Sequence, residues 1–140
     1  MRQIEQDIVN FVRVGISFHS GTSSSYCPEN TGYRDDLQFD EEKFSYRLWG
    51  NEIAKGDKST KVITVSDCGY PTATTVSRLN AIFAGLDIPM SCMVRKKKMV
   101  YFLNGKEITD VEERIKQYNT WVHRAGNYNV SIVTGPAYLL

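Results

Sequence analysis

Several groups of side chains in this sequence have types that could do chemistry. Thr72, Thr74, Thr75, Ser77 and Arg78 gather hydroxyls and a cation at the head of an amphipathic segment. Free amides and the helix dipole at such a position favour an anion such as phosphate. Threonine is also a common helix cap and no glycine-rich cradle precedes the segment, so the sequence favours capping over an anion site. The run Arg95-Lys96-Lys97-Lys98 could meet a phosphate backbone, with Tyr101 nearby as a stacking aromatic. A basic turn is equally how a hairpin tip stays solvated, and one short run supplies few phosphate contacts. Cys68 with His19 or His123 has the types of a thiol nucleophile and its base, but nothing in the spacing places them together. Cys27, Cys68 and Cys92 contain no CxxC pair, which argues against both a disulfide framework and a zinc site. Tyr46, Trp49 and Tyr70 sit beside turns, where aromatics serve the core or anchor a partner; the core is favoured. No catalytic residue, metal ligand or cofactor is assigned.

The elements that must position these groups centre on residues 61–86. Val62, Ile63, Thr64 and Val65 are all β-branched and read as a strand. Asp67, Gly69 and Pro71 then punctuate a turn. A helix follows, with Thr72, Ala73, Val76, Leu79, Asn80 and Phe83 on one side and Thr74, Ser77, Arg78 and Ala81 on the other. Gly85 is placed to close it in a left-handed conformation. Full burial of Val76, Leu79, Phe83 and Leu86 would contribute roughly 6–12 kcal/mol before entropy, so packing rather than propensity holds this helix. Asn80 lies on the apolar side, where its amide must find backbone partners or cost about 1–3 kcal/mol.

Elsewhere, Ile4, Ile8, Phe11 and Val12 predict an amphipathic helix over residues 2–14, ended by Gly15. Residues 16–19 and 22–26 read as short strands, and residues 27–43, rich in turn formers and acids, as a flexible surface loop. Phe44, Tyr46 and Leu48 alternate with Ser45, Arg47 and Trp49, then Gly50-Asn51 signals a hairpin into residues 52–55. Residues 91–95 and 99–103 bracket the basic turn, and Asn104-Gly105 signals another hairpin before residues 106–108. Thr109-Asp110-Val111-Glu112 is a capping box, and Val111, Ile115, Tyr118 and Val122 predict a helix ending near Gly126 with His123 on its wet side. Val130 to Val133 read as a last strand, followed by a loose tail over residues 135–140. The expected fold is one α+β domain over residues 1–140. It has a small antiparallel sheet, a meander plus a hairpin, covered by the central helix and flanked by N- and C-terminal amphipathic helices.

With the motifs in view, a resemblance can be stated. LWGNEIA followed by GYPTATTVSRLNAI resembles a pattern in small tailed-phage proteins of uncharacterised activity. The match falls on Gly50, Asn51, Ile53, Ala54, Gly69, Tyr70, Pro71, Thr72, Thr74, Thr75, Ser77, Arg78, Leu79, Asn80 and Ala81. Trp49 stands where that pattern more usually has histidine, and Tyr70 where it has tryptophan. The resemblance covers about a quarter of the chain; it implies a phage origin and transfers no catalytic residue.

Composition bounds the function. The 140 residues carry a formal charge of +1, with ten acids against seven bases in residues 1–60 and six against ten in residues 61–140. So modest an asymmetry argues against a strongly electrostatic nucleic-acid binder. Glu5, Asp7 and Arg13 interrupt the N-terminal apolar pattern, and no run has the length of a membrane span. The sequence therefore points to a cytoplasm and to no membrane, and to a non-enzymatic binding module; the resemblance implies that the cytoplasm is the host's and the partner a host or phage protein. Binding of nucleic acid or a nucleotide phosphate through Arg78 and the Arg95 to Lys98 turn is the alternative.

Overall fold

The computed structural model describes residues 2–22, 32–108 and 120–133. Its largest element is a seven-stranded sheet, built from β1 (Phe18–Thr22), β2 (Tyr33–Asp40), β3 (Lys43–Leu48), β4 (Asn51–Asp57), β5 (Val62–Ser66), β9 (Thr120–Ala125) and β10 (Tyr128–Val133). The strand order is β1-β2-β3-β4-β5-β10-β9, antiparallel throughout except for the parallel pair of β5 and β10. A separate three-stranded sheet joins β6 (Met90–Arg95), β7 (Lys98–Leu103) and β8 (Lys106–Glu107). Two helices, α1 (Gln3–Val14) and α2 (Ala73–Gly85), complete the described residues.

This corrects the expected small sheet under one central helix. The strands expected at residues 44–65 are present, but they form only the middle of a mixed sheet extended on both sides. Residues 33–40 are strand β2 rather than loop, because Leu37 and Phe39 alternate with Gln38 and Asp40 and pair with Tyr46 and Phe44. Residues 120–125 are strand β9 rather than the end of a helix. Gly126, expected to stop that helix, belongs instead to the turn that folds β9 back on β10 with Ala125 opposite Tyr128. The capping box, the helix positions Val111, Ile115 and Tyr118, most of the strand expected at 22–26 and the tail 135–140 lie outside the described residues.

Period-two alternation gives the large sheet two unlike faces. Leu37, Tyr46, Ala54, Val65 and Ile132 form one row across the core side; Phe39, Phe44, Gly56, Ile63 and Val130 form the next. The opposite side carries Gln38, Ser45, Lys55, Thr64 and Ser131 in one row, and Asp40, Lys43, Asp57, Val62 and Asn129 in another. Gly56 has a packing reason: an added Cβ would lie 2.7 Å from the Val62 carbonyl oxygen.

Helix α1 forms as its apolar spacing predicts. Ile8, Val9 and Val12 are buried, and Gly15 closes the helix at φ 85° while its N–H bonds the Phe11 carbonyl. It runs alongside α2 in the same direction, since Glu5 reaches Ser77 at one end and Val12 meets Gly85 at the other. Gly85 is not the left-handed closure expected of it. That conformation falls on Asp87 at φ 56°, while a Cβ on Gly85 would come within 3.0 Å of Val12 Cβ and the Val9 oxygen. Glycine is there so that two helices can touch.

The one-stripe phase expected for α2 also fails. Thr75, Ser77, Arg78, Leu79, Ala81, Ile82, Phe83 and Gly85 are all buried, because α1, the large sheet and β6 each claim a side of the helix. Asn80 behaves as expected. Its Nδ2 donates to the Cys92 oxygen at 3.0 Å, and its Oδ1 accepts from the Cys92 N–H at 2.8 Å, so one amide satisfies the open edge of β6.

Candidate binding surfaces

The helix-head group is drawn together, but inward. Thr72 caps α2, its Oγ1 accepting from the Thr75 N–H at 3.2 Å, and the Thr75 hydroxyl donates to the Tyr70 oxygen at 3.0 Å. Thr74 is half-buried, and Arg78 does not share an exposed face with it: Arg78 is 3% exposed. Its Nε donates to Asp35 Oδ1 at 2.8 Å, its Nη2 to Asp35 Oδ2 at 3.3 Å and its Nη1 to the Ser77 hydroxyl at 3.0 Å. Asp35, fully buried on β2, also accepts from Tyr46 Oη and Arg34 Nε, each at 2.7 Å. Burial pushes the Asp35 carboxyl upward, but the bonds from Arg78, Arg34 and Tyr46 outweigh it and hold the group below the ordinary aspartate value. Burial, then the Asp35 charge, raises the Tyr46 phenol far above its usual range. Ser77 continues the chain of bonds to Glu5 at 2.9 Å, tying α1 to the same cluster.

The basic run stands at the exposed tip of the β6–β7 hairpin, with Arg95 opposite Lys98 and Lys96-Lys97 as the two turn residues. Both lysines are left-handed, at φ 53° and 63°. Two-residue hairpin turns of this kind favour Asn-Gly, which this chain uses at Asn104-Gly105 between β7 and β8, with φ 53° and 80°. A side chain with a Cβ in that conformation costs roughly 1–2 kcal/mol per residue. Lysine therefore occupies these positions against local turn preference. Arg95 Nη1 pairs with Glu107 Oε1 at 2.6 Å, whereas Lys96, Lys97 and Lys98 have no ion pair among the described residues. Tyr101, named as the nearby stacking aromatic, is 3% exposed on the inner side of this sheet and is not available for stacking.

The cysteine and histidine candidates are not brought together. Cys68 lies beyond β5 and its thiol donates to the Glu52 oxygen at 3.1 Å, while His19 is on β1, four strand positions away, on the order of 19 Å. His19 instead stacks on Tyr33 with ring centroids 3.8 Å apart. His123 falls on β9, beyond β10 from β5, rather than on a helix. Burial pushes both described thiols up, Cys92 to about 12, so each is held as the protonated, unreactive form at neutral pH. Among the described residues no three His, Cys, Asp or Glu side chains gather to hold a metal. Of the aromatics beside turns, Tyr46 is core, whereas Trp49 and Tyr70 are exposed.

A surface that sequence reasoning missed lies on the polar side of the large sheet. A groove of about 850 Å³ crosses β2 to β5, its rim carrying Gln38, Asp40, Lys43, Ser45, Glu52, Lys55, Asp57 and Thr64 while Phe39, Phe44, Gly56 and Val62 contribute a largely apolar lining. In one row across the groove, Lys43 on β3 stands between Asp40 and Asp57. Ser45 Oγ donates to Glu52 Oε2 at 2.5 Å. The alternation of Ser45 and Arg47 with the core residues of β3 was the available signal for this face; the acids of β2 hid the rest.

Residues 1–120 match the family described as "Kyanoviridae Gp96 protein". The chain belongs to this phage protein family. Comparison with curated proteins and with solved structures returned no match. No described helix of the phage protein is long and apolar enough to cross a membrane.

Proposed function

We propose that this phage protein is a non-enzymatic accessory module that binds a host or phage protein in the host cytoplasm, using the open polar face of its large sheet. The observation that carries this reading is the groove across β2 to β5, where acids and bases of both signs, Asp40, Lys43, Glu52, Lys55 and Asp57, rim an apolar lining on a hydrogen-bonded sheet. A surface of mixed sign suits the paired charges and polar groups of another protein and does not favour a polyanion. The buried, raised thiols and the guanidinium occupied by Asp35 fit a scaffold rather than a reaction centre. To test it, wild type and a Lys55→Glu, Thr64→Arg variant, matched in melting temperature, are used to capture partners from infected-cell lysate. A protein retained by wild type and lost from the variant is the expected result; identical capture by both contradicts the reading.

One observation favours a second reading, binding of a polyanion such as nucleic acid by the turn Arg95 to Lys98. It is the placement of Lys96 and Lys97 as a pair at left-handed positions, where the other such hairpin turns of this chain, Trp49-Gly50 and Asn104-Gly105, each include a glycine. Unfavourable local geometry that persists is a pointer to use.

A further inference from the structure

The three-stranded sheet has one side against α2, and its other side carries exposed Met93 and half-buried Val100 and Phe102. Cys92 and Tyr101 are buried, and Met99 and Leu103 pack against the core. By the two-residue alternation, Ser91, Met93 and Arg95 of β6 therefore share the outer side with Lys98, Val100 and Phe102 of β7. Met93 is 41% exposed, and Val100 and Phe102 are half-buried without joining the core. Phe102 stands opposite Ser91 on one side and Glu107 on the other, four residues along β7 from Lys98, on the order of 13 Å from the basic tip. One face thus carries an aromatic ring at one end and a row of cations at the other.

Resting on the second reading above, that the basic turn binds a polyanion, we infer that the outer face of β6 and β7 is a binding site for single-stranded nucleic acid. Its phosphates lie on Lys96, Lys97 and Lys98, and a base stacks on Phe102. A duplex buries the faces of its bases in its own stack, so a sheet-borne ring is useful only to an unpaired strand. The Arg95–Glu107 ion pair, at 2.6 Å, leaves the Phe102 end of the site without net charge, while the tip keeps the charge of its three lysines. The backbone is therefore directed to the tip and the base to the ring. Three lysines without ion pairs among the described residues set the electrostatic contribution.

The test uses the full chain, a fluorescent twelve-nucleotide oligothymidine, a duplex of equal length, and anisotropy titrations from 50 to 200 mM salt. Wild type is expected to prefer the single strand, with a log–log salt slope of about −2 for three phosphates, which is roughly a 20-fold loss over that range. The variant Lys96→Asn, Lys97→Gly gives the turn its preferred residues, so it should melt no lower than wild type while binding at least tenfold more weakly. Phe102→Leu should weaken single-strand binding roughly tenfold and leave duplex binding unchanged. If duplex binds as well as single strand and Phe102→Leu has no effect, the stacking site is overturned while the polyanion reading stands. If the Asn-Gly variant binds like wild type, or neither nucleic acid binds at 50 mM salt, both are overturned.

Discussion

Replacing Arg78 with methionine should destabilise the protein by about 3 kcal/mol. The figure follows from what is left behind. Breaking a buried ion pair by removing one partner costs about 3–5 kcal/mol because the other charge stays buried. Asp35 would keep two donors, Tyr46 Oη and Arg34 Nε, which places Arg78→Met at the low end of that range. Asp35→Ala leaves the Arg78 guanidinium with only the Ser77 hydroxyl, and should cost close to 5 kcal/mol. Removing both as Asp35→Leu, Arg78→Met should recover part of the loss, because apolar replacement of a whole pair is often near neutral. The Tyr46 hydroxyl is then orphaned, which leaves a deficit of about 1–3 kcal/mol. Arg78→Lys should not rescue, since an ammonium cannot span both carboxylate oxygens. Urea titrations of the four variants measure these differences, and Arg78→Met should also melt about 10 °C or more below wild type. The pH dependence has a definite sign. The folded Asp35 carboxyl titrates below its unfolded value, so its contribution is complete above the unfolded aspartate value and is lost as pH falls through the folded one. Asp35→Ala should flatten the acid limb of the stability curve. An Arg78→Met variant within 0.5 kcal/mol of wild type would refute this account of the cluster.

Gly85→Ala normally strengthens a helix, yet here it should destabilise by about 1–3 kcal/mol by forcing α1 away from α2, read by thermal melts. Asn80→Leu strips the Cys92 N–H and oxygen of their partners and should cost about 1–3 kcal/mol, with faster amide exchange at Cys92. Thr72→Ala removes the α2 cap and should cost about 1 kcal/mol in the same melts, without other effect. Cys68 and Cys92 should resist alkylation at pH 8 in the native protein and react fully in urea, as peptide mass mapping would show; native labelling of either overturns its assignment as a buried thiol.

What the sequence made legible was local. The Ile4, Ile8, Phe11, Val12 spacing with Gly15, the β-branched run from Val62 and the Asn104-Gly105 turn each name their element without outside help. Even Asn80 announced its backbone partners, because an amide among apolar neighbours has few other options. What stayed hidden was non-local. Asp35 and Arg78 each argue for the surface when read alone, and their burial is intelligible only once the fold brings together residues 43 positions apart. Strand β2 was masked for the same reason: its acids read as a solvated loop until Leu37 and Phe39 meet Tyr46 and Phe44. Thr120 to Ala125 continued a helical pattern by chance of spacing, and only pairing with β10 shows Gly126 to be a turn residue. The Gly50-Asn51 signal was right in kind but one residue late, since the left-handed pair is Trp49-Gly50. Beyond the alternation along β3, the groove could not be read without register, because its rows are assembled from four strands.

The proposed function rests on the open face of the large sheet, and site-specific photo-crosslinking tests it most directly. A photoreactive phenylalanine analogue is placed at Lys55 or Thr64 in the groove, or at Asn104 on the distant hairpin as the control, in protein expressed during infection. The account predicts a discrete crosslinked protein partner from both groove positions and none from Asn104. Crosslinks from Asn104 alone, or an absence of protein crosslinks at Lys55 and Thr64, would contradict it.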